Sequence, residues 1–103
     1  FSVVDPRGQS VSCTEECWKK HIVSARFWME GWQNIVSEAI KSPDAIFHDA
    51  DYSDRECYYQ LDKKKRKYMK VVVGFDREGR GTIITAFPAD SVKNGENLIW
   101  ASQ

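Results

Sequence analysis

The chain has 103 residues, 42% of them hydrophobic and 29% charged, which describes one globular domain over residues 1–103 and excludes a disordered chain. Fifteen basic residues cancel fifteen acidic ones, so no global basic field of the histone kind surrounds it. No apolar run reaches the ~20 residues of a membrane helix, and three Cys, an odd count, argue against a disulfide framework and for a reducing compartment or an unimportant redox state, with a cytoplasmic location in the producing or target bacterial cell expected.

In chain order, Phe1–Asp5 alternates weakly and ends in Asp5-Pro6-Arg7-Gly8, a turn signal, with Ser10–Cys13 as the returning strand of a hairpin. Thr14 then caps a helix, with Glu15 and Glu16 in the first turn where the helix dipole favours acids. Trp18, Ile22, Ala25, Met29, Trp32, Val36 and Ala39 recur at helical spacing. Gly31 can split this stretch into two helices, and Ser42-Pro43 stops it. Ala45–His48 reads as a short strand and Asp49–Asp54 as a polar turn.

Glu56–Leu61 alternates, with Cys57, Tyr59 and Leu61 on one face. Lys67–Phe75 places Met69, Val71, Val73 and Phe75 on one face, and Thr82–Phe87 is a strand stopped by Pro88. Leu98-Ile99-Trp100 is a candidate last strand. The predicted class is α+β: an N-terminal hairpin and one or two helices packed on a four-stranded antiparallel meander.

Charge is unevenly spread along this order. Residues 41–62 carry two basic and six acidic groups, whereas residues 63–80 carry eight basic and two acidic. The run Lys63-Lys64-Lys65-Arg66-Lys67 suits either a phosphate-binding lip or a solvated turn that keeps a hairpin unpaired.

A meander with helices on one side leaves its other face partly open. Tyr58, Tyr59 and Tyr68 lie on the middle strands, and Thr85 on the last. If Ile84 and Ala86 face the helices, Thr85 faces the other way with Ile83 and Phe87; one residue of slip reverses this. Aromatic platforms, a hydroxyl and nearby cations suit single-stranded RNA, and ordinary sheet packing by Tyr explains the same residues.

His21 lies at the edge of the apolar helix stripe, where an imidazole serves either as a general acid or base or as a half-buried structural group. Arg26 lies on the opposite edge of that stripe. Arg55, ahead of its strand, can stabilise phosphorane-like charge or pair with Asp51 or Asp54. Cys13, Cys17 and His21 fall at steps of four, with His48 or Cys57 available to complete a zinc site, but the spacing matches no standard knuckle, and no metal or cofactor is expected.

Several of these residues together resemble a phage-associated nuclease family of the barnase–EndoU–colicin–RelE-like (BECR) superfamily. They are His21-Ile22 in a helix, Ala39-Ile40-Lys41-Ser42-Pro43-Asp44-Ala45-Ile46 at the helix end, and Arg55 before Tyr58-Tyr59. The strands Tyr68-Met69-Lys70-Val71-Val72-Val73 and Ile84-Thr85-Ala86-Phe87 complete the pattern. The Val4–Gly8 turn and the segment Lys93-Asn94-Gly95-Glu96 through Trp100 extend the similarity over nearly the whole chain.

The resemblance implies a metal-independent ribonuclease, in which a 2′-hydroxyl attacks the adjacent phosphate and leaves a 2′,3′-cyclic end. It implies His21 as general base or acid, Arg55 and Thr85 as phosphate stabilisers, and Tyr59 as stacking or proton partner. Arg26, Lys64, Lys65, Arg66, Tyr68 and Lys93 are the residues expected to hold RNA. Relatives often carry a second His about five residues after the first; this chain has Arg26 there.

The expected function is that of an endoribonuclease, a toxin or phage effector acting on RNA such as tRNA, with an immunity or antitoxin protein as partner and no membrane. The start at Phe1 suits a domain of a longer protein. Two other readings use the same residues: an inactive RNA- or protein-binding module on the same fold, or a phage protein that inhibits a host factor through residues 44–62.

Overall fold

The Asp5-Pro6-Arg7-Gly8 turn closes a hairpin of β1 (Ser2–Val4) and β2 (Ser10–Ser12) in the computed structural model, which describes residues 1–103. Gly8 takes φ +88°, a value that favours glycine. The Asp5 carboxylate accepts the backbone N–H groups of Arg7 and Gln9 and so fixes the turn.

Thr14 caps α1 (Glu15–Trp18), its Oγ1 accepting the Cys17 N–H at 3.0 Å. The helix continues as a π-helical turn over Lys19–Val23. Arg26 then leaves helical geometry at φ −141°, and a single 3-10 turn, Phe27–Met29, follows. Gly31 adopts φ +85° ahead of α2 (Gln33–Lys41). The helical periodicity is therefore real but broken twice. Trp18, Ile22, Met29, Val36 and Ala39 are buried, whereas Ala25, at the first break, is exposed.

The remaining strands are β3 (Ala45–His48), β4 (Arg55–Asp62), β5 (Lys67–Phe75), β6 (Gly81–Ala89) and β7 (Asn97–Ala101). All seven strands form one sheet in the order β1-β2-β6-β5-β4-β3-β7. This corrects the expected four-stranded meander. The antiparallel run from β3 to β6 is present, but it is the middle of a mixed sheet. β7 adds to β3, and the N-terminal hairpin joins β6 through a parallel pairing of Val11 with Gly81 and Ser12 with Thr82. Gly81 makes that junction possible: a Cβ there would lie 2.7 Å from Val73 Cγ1.

The helices cover one sheet face. Trp18, Ile22, Met29, Val36 and Ile40 pack there on Ile46, Tyr58, Val71, Val73, Ile83 and Ala86. Each Ile, Val and Met among them contributes about 1.5–3 kcal/mol when fully buried. The hairpin turn is pinned across this layer to β4. Tyr58 Oη donates to Asp5 Oδ2 at 2.6 Å, and Arg7 reaches Glu56 Oε1 at 2.6 Å. Burial opposes ionisation of Asp5, but the bonds from Tyr58, Arg7 and the Gln9 N–H outweigh it and hold the carboxyl below its usual range.

Two details of β6 depart from the sequence reading. The strand continues through Pro88, because β2 pairs only with its first residues and leaves the rest an edge, where a missing N–H breaks no ladder bond. A bulge between Val72 and Val73 of β5 leaves Ile84 without a partner. As a result Ile83 and Ala86 face the helices, while Ile84 packs on the second face with Cys57, Tyr59 and Val72.

Candidate functional site

Strand register arranges the second sheet face in rows. Phe47, Cys57, Val72 and Thr85 form one row across β3, β4, β5 and β6. Ala45, Tyr59, Lys70 and Phe87 form the next, and Leu61, Tyr68 and Ala89 the third. Phe47, Tyr59 and Tyr68 stack edge to face down these rows, at 5.4 and 5.8 Å between centroids.

The segment between β6 and β7 folds over part of this face and inserts Glu96. Its carboxylate, with a side chain 0% exposed, accepts Lys70 Nζ at 2.7 Å and Tyr59 Oη at 2.5 Å. Burial and the bond to Glu96 push the Tyr59 hydroxyl far above the usual phenol range, so it stays protonated. The Cys57 thiol donates towards Asp49 Oδ1 and Glu96 Oε2, each at 3.6 Å, and burial beside Glu96 pushes it up to about 12. Tyr59 is 1% exposed, so it holds Glu96 and Lys70 in place and offers no surface for stacking.

The edge of β6 carries the accessible groups. Cys17 Sγ donates to the Ile83 carbonyl at 3.6 Å, and the Arg26 guanidinium lies 4.7 Å from the centre of the Phe87 ring. These two contacts fix the direction of the intervening helical turn along the strand. They bracket half-buried His21 in one segment and half-buried Thr85 in the other. Lys70 Nζ lies 5.6 Å from the centre of the same Phe87 ring, a second cation against it. Lys70 is neutralised by Glu96, whereas Arg26 has no carboxylate within salt-bridge reach.

The other sequence candidates lie elsewhere. Arg55 starts β4, four residues from Tyr59 and thus about 13 Å along the strand. Its guanidinium stacks on Tyr52 at 4.0 Å and pairs with neither Asp51 nor Asp54. Lys93 is exposed and held by Asp51 at 3.1 Å, which raises its pKa. Lys64, Lys65 and Arg66 form the exposed β4–β5 turn, where Arg66 takes φ +54°. Tyr68, at the start of β5, links that turn to Tyr59.

Sequence reasoning missed Lys70, Glu96 and Phe87. Lys70 had a signal: a lone cation inside Met69-Lys70-Val71-Val72-Val73 must find a buried counter-charge. Glu96 had none, because its partner lies 26 residues away.

The zinc alternative weighed at Cys13, Cys17 and His21 forms no ligand cluster; a different set does, with ligand atoms of Asp49, Cys57 and Glu96 within 4.8 Å of one another. The Lys70 ammonium already occupies Glu96 and would stand against a cation there. No family model, curated protein or solved structure matches this chain. No helix is long and apolar enough to cross a membrane.

Proposed function

We propose that the chain is a metal-independent endoribonuclease whose site lies along the edge of β6. The observation that carries this reading is the Arg26 guanidinium on Phe87 with no carboxylate partner; this contact and the Cys17–Ile83 bond lie on either side of His21 in one segment and of Thr85 in the other. Arg26, held against Phe87, takes a phosphate. In this reading the His21 imidazole accepts the 2′-hydroxyl proton as that oxygen attacks the adjacent phosphorus. Arg26 and the Thr85 hydroxyl stabilise the charge that develops on the non-bridging oxygens, and the bond to the 5′-oxygen breaks. The products are a 2′,3′-cyclic phosphate and, after protonation, a 5′-hydroxyl. The Tyr59–Glu96–Lys70 network positions Phe87 and does not touch substrate.

The placement of Arg26 where relatives often carry a second His supports a second reading, an RNA-binding module without cleavage. Incubation with total RNA in the presence of EDTA, followed by end-group analysis, separates the two. Cyclic phosphate ends support the nuclease. Salt-dependent binding with no new ends supports the module. A protein partner such as an immunity protein, and action as a toxin or phage effector, belong to the same proposal and rest on the sequence resemblance alone.

A further inference from the structure

A cleft of about 920 Å³ opens between α2 and the tip of the β4–β5 hairpin, apart from the β6 edge. Trp32 and Ile35 form its helical wall, Leu61 and Tyr68 its strand wall, and Lys64 and Lys65 its rim. Ile35 is 48% and Leu61 38% exposed, an apolar floor open to solvent. The single acid in the lining, Asp62, uses Oδ1 to accept the Lys64 and Lys65 backbone N–H groups. Lys63, Lys64 and Lys65 have no carboxylate partner. Lys65 Nζ instead lies 5.9 Å from the Trp32 ring.

The cleft is joined to the β6 edge by two routes. On the strand side, Pro88 in the lining directly follows Phe87. On the helix side, the segment after Arg26 carries Trp28, which meets Trp32 edge to face at 5.2 Å between centroids. Partly exposed Trp28 and Trp32, with Arg26, Lys64 and Lys65 free of carboxylate partners, suit a chain of bases and phosphates.

We infer that this cleft is a second subsite for single-stranded RNA: a nucleotide flanking the scissile phosphate stacks on Trp32 while Lys64 and Lys65 hold its phosphates. The inference rests on the ribonuclease or RNA-binding reading of the β6 edge, and it adds the path the strand takes away from that edge.

The test uses fluorescent 2′-O-methyl oligouridylates, which cannot be cleaved, of two and of about twelve nucleotides, spanning the usual range of single-strand site sizes. Wild type is compared with the Lys64→Glu/Lys65→Glu double variant and with Trp32→Phe, with thermal melts confirming that each folds. The double variant is expected to bind the long probe at least about tenfold more weakly, with a log–log salt slope shallower by about 1.4 for two lost phosphate contacts. Binding of the dinucleotide is expected to stay unchanged. Quenching of tryptophan emission by the long probe is expected to shrink in Trp32→Phe. Equal binding of the long probe by wild type and the double variant overturns the subsite and leaves the β6-edge reading standing. Displacement of the probe by polyglutamate of equal charge as readily as by RNA assigns the cleft to an acidic protein partner and overturns it too. Failure of wild type to bind either probe overturns both readings.

Discussion

Lys70 Nζ and Glu96 Oε2 are 2.7 Å apart, with side chains 7% and 0% exposed, on a sheet face that carries no helix. The pair anchors the β6–β7 segment over that face, and the Tyr59 hydroxyl adds a second bond to the same carboxylate. Removing one partner leaves a buried charge alone. Glu96→Gln and Lys70→Met are each expected to cost about 3–5 kcal/mol in urea unfolding. The double variant is expected to cost clearly less than the sum, since it leaves no unpaired ion. Additive losses would show that the two side chains do not depend on each other.

Acid sensitivity follows from Asp5. Its folded pKa lies below the ordinary value of 3.8 because bonds from Tyr58, Arg7 and Gln9 outweigh burial. A carboxyl lowered on folding contributes stability above its unfolded pKa, and that contribution is lost as pH falls through the folded value. Asp49 is lowered too, by the Asp51 and Tyr52 N–H groups against its burial, and acts in the same direction. Stability is therefore expected to fall as pH drops below about 4, and Asp5→Asn is expected to be less stable at pH 7 with a flatter acid limb. Urea midpoints of the two proteins between pH 5 and pH 2 check this; parallel curves would remove Asp5 as a source of the slope.

The three thiols are expected to react unequally. Cys13 and Cys57 are buried, and burial first, with neighbouring acidic or thiol groups second, pushes each up to about 12. Cys17 is half-buried. Alkylation of native protein at pH 8, read by peptide mass spectrometry, is expected to modify Cys17 first and to reach Cys13 and Cys57 only after unfolding. Early modification of Cys57 would mean that the segment bearing Glu96 opens readily.

Catalytic loss is expected to separate residues that the sequence grouped together. His21→Ala and Thr85→Ala are each expected to slow RNA cleavage by about 100-fold or more. Arg26→Ala is expected to do the same, whereas Arg55→Ala, whose guanidinium is stacked on Tyr52, is expected to stay within about threefold of wild type. Initial rates on one labelled RNA, with melts to confirm folding, give the ranking. A larger loss for Arg55→Ala than for Arg26→Ala would return the site to the N-terminal end of β4.

Local chemistry made much of this molecule readable before any coordinates. The turn at Asp5–Gly8, the Thr14 cap and the alternation along β4 and β5 all act within a few residues, and all appear as their side chains dictate. Three features depended on distant partners and were not readable. The parallel junction of β2 with β6 requires Gly81 to pass close to Val73. The bulge that leaves Ile84 unpaired puts Ile83 and Ala86 on the helix side and Ile84 on the other, a pattern that neither alternating register of the sequence gives. The third is the meeting of Lys70 with Glu96, of which only the need for a counter-charge was visible.

The proposed site is only partly legible in the sequence. The sequence offers His21 as an acid or base, Thr85 as a phosphate stabiliser and Arg26 as an RNA contact; the structure lays Arg26 on Phe87, two residues from Thr85 on β6. Tyr59 and Arg55 were chosen on the same grounds but are committed elsewhere, one to Glu96 and the other to Tyr52. Sequence spacing gives the face of a strand, and it does not say which hydroxyl or guanidinium is already partnered.

The central claim is that His21, Arg26 and Thr85 serve one phosphate. The most direct measurement is an NMR titration of isotopically labelled protein with an uncleavable 2′-deoxy dinucleotide. The account predicts that the His21 imidazole, Thr85 methyl and Arg26 guanidinium resonances shift together along one saturation curve. Saturable shifts confined to the Arg55–Tyr52 end of β4, with these three unmoved, would contradict it.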